Sequence, residues 1–208
     1  MRRSADDATW RELARAVVAG DENQVKTLLR AAPELATHAL TAGATRQAPL
    51  PHFLEAIEHY VYEGDTALHI AAAAYRRAVA EIFVARGADV GARNRRGAEP
   101  LHYAADGGPT SRTWNPAAQA EIIAYLISAG ANPNALDKSG VAPLHRAVRN
   151  RCTSAVRALL DGGANPRLKN KAGSAPLDLA TRTTGRGGSG TPEAKSEQAA
   201  IVRLLGGD

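Results

Sequence analysis

Six histidines and one cysteine are the side chains best suited to chemistry in this 208-residue chain. Three of the histidines, His38, His52 and His59, fall in one stretch between residues 37 and 63. If His52 to Tyr62 is helical, His52, Glu55, His59 and Tyr62 recur at i, i+3, i+7 and i+10 and share one face. Two imidazoles and a carboxylate there could approach a metal ion or act as an acid and a base. The spacing counts against it, because His52 and His59 stand two turns apart, about 10 Å by helix rise. A solvated polar face, opposite an apolar stripe of Phe53, Ile57, Tyr60 and Val61, is the simpler reading. Cys152 has no cysteine to pair with, which fits a cytoplasmic protein with an incidental thiol. The run GRGGSG at 185–190 has the glycines of a phosphate loop but follows no strand, so it reads as mobile linker. No metalloprotease, nucleophile-elbow or paired-cysteine pattern occurs. The expectation is therefore no catalytic residue, no metal and no cofactor.

The other three histidines belong to a pattern that runs along most of the chain. A Leu anchor recurs at Leu13, Leu68, Leu101, Leu144 and Leu177, with gaps of 55, 33, 43 and 33 residues. A fixed period in this range marks a stacked repeat architecture. The unit is complete in GVAPLHRAVRNRCTSAVRALLDGGANPRLKN, residues 140–170: a turn, a short helix, a second helix and a Gly-Ala-Asn exit. Gly64, Gly97, Gly140 and Gly173 supply the positive φ of the tight turn. Pro100, Pro143 and Pro176 preset the first helical turn, where a missing N–H is harmless. Gly87, Gly130 and Gly163 suit helix exits. The longer gaps imply insertions at 37–63 and around Gly107–Pro116, the latter exposing Trp114. The last repeat widens at its inter-helix turn and closes on a helix from Gln198 to Leu205.

Four in-register copies of x-x-Leu-His/Asp and three of Gly-Ala-Asp/Asn resemble the ankyrin repeat family. The resemblance implies a bacterial-like member with insertions. It also implies an all-α solenoid of about five helix-turn-helix repeats with short hairpin fingers, forming one domain over 1–208. The repeats are expected at about 9–36, 64–96, 97–139, 140–172 and 173–208. His69, His102 and His145 are then structural, tying neighbouring hairpins by hydrogen bonds. Glu99, Ala142 and Ala175 replace the family's usual Thr, and Asp178 replaces the last His.

Such arrays typically bind macromolecules on a concave surface of hairpin tips and inner helices. Carried over by register, that surface comprises Tyr62, Glu63, Asp65, Arg95, Arg96, Asp106, Lys138, Arg149, Asn150, Lys171 and Arg182. The expected function is a non-catalytic, monomeric protein-binding scaffold with another protein as partner and no membrane contact. One alternative is an enzyme or a metal- or ligand-binding protein using the 37–63 insertion. Another is nucleic-acid binding through Arg76, Arg77, Arg95, Arg96 and Arg149. The net charge of +5 is too small to favour nucleic acid, and no aromatic residues interleave with the arginines.

Overall fold

The computed structural model describes residues 7–109, 111–182 and 191–206. Among these residues five helix pairs stack in chain order. They are α1 (Asp7–Ala19) with α2 (Glu22–Ala31), α3 (Ala67–Ala73) with α4 (Arg77–Val84), and α5 (Pro100–Ala104) with α6 (Pro116–Ser128). α7 (Pro143–Arg149) with α8 (Thr153–Asp161) and α9 (Pro176–Thr181) with α10 (Pro192–Leu204) complete the stack. The first helices α1, α3, α5, α7 and α9 touch in sequence to form an inner row, and α2, α4, α6, α8 and α10 form an outer row. Each pair thus buries its apolar face against its neighbours. The anchors Leu13, Leu68, Leu101 and Leu144 are all sealed in this continuous core. Among the described residues no helix is long and apolar enough to cross a membrane.

The turn between repeats has one chemistry, used three times. Asn94, Asp137 and Asn170 each stand three residues before a glycine of positive φ. The side-chain oxygen of each accepts two backbone N–H groups: Arg96 and Ala98 at 2.9 and 3.1 Å, Ser139 and Val141 at 2.8 and 3.0 Å, Ala172 and Ser174 at 2.9 and 3.1 Å. The side chain thereby satisfies a turn that lacks a helical or sheet ladder. Successive fingers also bond to each other, Arg95 N–H to Glu63 O at 2.7 Å and Lys138 N–H to Arg96 O at 2.9 Å. Glycine is needed twice over at Gly97. Its φ is +74°, and a Cβ would lie 2.9 Å from the Lys138 nitrogen.

The histidines lock this stack. His69, His102 and His145 each accept the N–H of the residue three before them on Nδ1, at 3.1, 3.1 and 3.2 Å. Their Nε2 atoms face the carbonyls of Ala98, Val141 and Ser174 in the next repeat at 3.2, 3.0 and 3.2 Å. A ring that accepts on Nδ1 and donates from Nε2 is neutral. Burial lowers the pKa of all three, that of His102 to about 4. In the last repeat Asp178 Oδ2 accepts the Ala175 N–H at 2.8 Å, so the cap survives without the inter-repeat bond.

Three expectations need correction. The stretch from His52 to Tyr62 is not a helix. It is a small hairpin of β1 (Phe53–Leu54) and β2 (His59–Tyr60), paired Phe53 to Tyr60 and Leu54 to His59. A 3₁₀ turn at Glu55–Ile57 and a left-handed Glu58 (φ 50°) reverse the chain between the strands. Two long-range bonds, Ala44 N–H to Val61 O and Val61 N–H to His52 O, clamp its base. Trp114 is half-buried rather than exposed, since its Nε1 donates to the buried Gln119 at 2.8 Å. The last helix begins at Pro192, earlier than expected, because the Thr191 hydroxyl caps it through the Ala194 N–H. The Gly-rich run at 185–190 lies outside the described residues.

Candidate functional site

The insertion folds back over the inner-helix row instead of projecting away from it. The His59 ring packs on Tyr103 of α5 with centroids 4.5 Å apart. Ser111 Oγ donates to Glu58 Oε2 at 2.9 Å, and an Arg95 guanidinium nitrogen donates to Ala44 O. Beneath the hairpin lies a polar network. Tyr103 OH donates to Asp65 Oδ2 at 2.7 Å, Asn94 Nδ2 donates to Asp65 Oδ1 at 2.8 Å, and the Tyr62 N–H donates to Asp65 Oδ2 at 2.6 Å. Burial and the Asp65 charge push the Tyr103 phenol well above its ordinary range. A second knot joins repeats three and four, where Arg146 meets Asp106 at 2.7 Å and Asp137 at 3.0 Å. Burial opposes the Arg146 charge, but Asp106 and Asp137 outweigh it and raise the pKa.

These contacts sort the residues expected to bind a partner. Asp65 must be withdrawn, because it is fully buried and every contact above is internal. Asp106 is half-buried and committed to Arg146, with Asn150 Nδ2 at 3.4 Å from its other oxygen. Tyr62 is half-buried, with the guanidinium carbons of Arg95 and Arg96 5.6 and 4.8 Å from its ring centre. Glu63, Arg95, Arg96, Lys138, Arg149, Lys171 and Arg182 are exposed. Among the described residues none of these six cations forms an ion pair. Arg95, Arg96, Lys138 and Lys171 stand on successive finger turns, and the Lys171 ammonium donates to Lys138 O at 2.5 Å. The sequence missed Arg46, which joins Tyr60, Tyr62, Arg95 and Arg96 around a cleft of about 590 Å³ at one end of this row. The bond from Ala44 N–H to Val61 O, invisible in the sequence, holds its loop there.

The alternatives fare differently. His52, Glu55, His59 and Tyr62 do not share a face: His59 sits on Tyr103, Glu55 is exposed, and His52 borders a separate cavity with Trp10 and Leu40. No group of three metal-ligating side chains gathers among the described residues. The five arginines of the nucleic-acid reading also separate. Arg76 Nε donates to Val18 O at 3.0 Å, and Arg77 pairs with Glu81 at 2.8 Å beside Tyr125. Cys152 is buried, its Sγ 2.9 Å from Gly107 O, and burial raises its thiol pKa to about 12.

Comparison with known families accords with this architecture. The family described as "Ankyrin repeat" matches residues 63–95 and 96–138, and the one described as "Ankyrin repeats (many copies)" matches 126–180. Together they span residues 63–180, more than half of the chain. No curated protein matches it.

Proposed function

The chain belongs to the ankyrin repeat family, and on that premise we propose that it is a non-catalytic interaction module that docks an acidic surface of another protein on its finger tips. The observation that carries this reading is the row Arg95, Arg96, Lys138 and Lys171, exposed on consecutive turns and without carboxylate partners among the described residues. Cations held at fixed intervals by a rigid stack steer an acidic partner into register and disfavour others. Arg149 and Arg182, 33 residues apart at the ends of inner helices α7 and α9, extend the same field along the groove. Between repeats two and three the insertion hairpin, with Tyr60 and Tyr62 beside Arg96, replaces the open groove as the contacting surface. Aromatic rings next to arginines are the residue types that dominate interface energies. The module acts as a monomer, and the buried, inert Cys152 supports a cytoplasmic setting.

The test is capture from native lysate with wild-type bait and with Arg96→Glu/Lys138→Glu/Lys171→Glu. Arg30→Glu/Arg157→Glu, on exposed outer-row positions, serves as the charge control. A protein retained by wild type and the control but lost with the finger variant supports the reading. A protein retained equally by all three removes the fingers as the docking surface.

A further inference from the structure

A second site, away from the finger tips but sharing Arg149 and Arg182 with the groove, lies between the last two repeats. Arg151 joins α7 to α8 in the left-handed region, with φ 60°. Tyr75 holds the equivalent place seven residues after its own Leu anchor, also left-handed at φ 57°. The Tyr75 hydroxyl reaches into the next repeat and donates to Asp106 O at 2.5 Å. Arg151 is sent the same way but ends differently. It is only 5% exposed, and its Nη1 is shielded from solvent without a hydrogen-bond partner among the described residues. No ion pair of Arg151 forms among the described residues. Glu197 on the packed helix α10 is engaged elsewhere, its Oε2 accepting the Thr153 N–H at 2.7 Å.

A guanidinium taken out of water without an anion is costly, and buried charges are normally paired. Arg151 borders a cavity of about 250 Å³. Among the described residues, Arg149, Arg182 and Gln198 supply its other polar walls, and no carboxylate lines it. The remaining walls are apolar, including Val148, Leu179 and Ile201. An arginine fork matches the geometry of a carboxylate, and apolar walls with a few convergent polar groups describe a small-ligand pocket. We propose that this cavity binds a small carboxylate with an apolar body, held by Arg151 and flanked by Arg149 and Arg182. Such a ligand is either a free organic acid or the C-terminal residue of a peptide.

The full chain is titrated with N-acetyl-leucine, butyrate, neutral N-acetyl-leucinamide and sodium chloride at matched ionic strength, followed by thermal shift and calorimetry. The expected result is a saturable rise in Tm with at least one carboxylate and with neither the amide nor the salt. Tenfold tighter binding of N-acetyl-leucine than of butyrate assigns a peptide C-terminus, whereas comparable or tighter binding of butyrate assigns a free acid. Arg151→Met, which keeps the apolar stem, is expected to weaken binding at least tenfold. If that variant fails to fold, Arg182→Gln on the exposed rim takes its place, with an expected loss of severalfold. The proposal is overturned if neither carboxylate saturates, if the amide binds as well, or if affinity is unchanged in the folded arginine variant.

Discussion

The ring of His59, at the tip of the insertion, lies 4.5 Å centroid to centroid from Tyr103 of the inner helix α5. That contact turns an inserted loop into part of the groove wall. His59 Nε2 is shielded from solvent and has no hydrogen-bond partner among the described residues, and burial lowers its pKa against the opposing pull of Asp106 and Asp65. The contact is therefore one of packing and is strongest with a neutral ring.

Removing it should loosen the hairpin without unfolding the stack. An aromatic pair contributes about 1 kcal/mol beyond its buried area. His59→Ala should raise hydrogen exchange in residues 53–62 while exchange in α5 and α7 stays slow. Equal acceleration in α5 would show that the hairpin and the repeats form one cooperative unit.

Acid should destabilise the whole array. His59, His69, His102 and His145 all have lowered pKa values in the folded state, chiefly through burial. Between the unfolded value near 6.5 and the folded values, the unfolded chain binds more protons. Stability is therefore complete above pH 6.5 and falls as pH drops toward 4, where His102 protonates in place. Glu99, raised by burial, works in the opposite direction but is a single group. Urea midpoints at pH 7.5, 6 and 5 should decline in that order, and a flat profile would contradict the neutral-histidine lock.

Gly97 and Gly173 hold the same place in their repeats but have different surroundings. Both have positive φ, yet a Cβ at Gly97 meets the Lys138 backbone at 2.9 Å, whereas one at Gly173 meets nothing within 4 Å among the described residues. Gly173→Ala should cost only the left-handed strain, about 1 kcal/mol. Gly97→Ala should cost more, because two fingers must separate. Thermal denaturation of the two variants checks the order.

Asp65 should behave as a structural residue. Asp65→Ala leaves Asn94 and Tyr103 without their buried acceptor and should destabilise by about 3 kcal/mol. Per folded molecule, affinity for a partner should be unchanged. A fall in affinity without loss of stability would return Asp65 to the binding surface.

These residues also mark how far the sequence could be read. The repeats were legible because each turn needs its Gly, each helix start its Pro or cap, and each lock its His, all within a few positions of the Leu anchor. The insertion was not. Phe53, Ile57, Tyr60 and Val61 match a helical stripe, yet what holds them is cross-strand pairing and the bond from Ala44 to Val61. Asp65 was misplaced for a similar reason. It sits where a finger residue should be exposed, but its partners Asn94 and Tyr103 lie 29 and 38 residues further on. The exposure of the basic finger residues was legible, since a turn tip faces solvent by construction, whereas the surroundings of Arg46 and Arg151 depend on neighbours distant in sequence.

The most direct test of the account is a hydrogen-exchange footprint of the chain bound to its captured protein partner. Protection is expected at the three finger turns, residues 94–97, 137–140 and 170–173, and along the insertion near Tyr60 and Tyr62, with outer helices α4, α6 and α8 unchanged. Protection confined to those outer helices, with the finger turns exchanging as in the free chain, would contradict it.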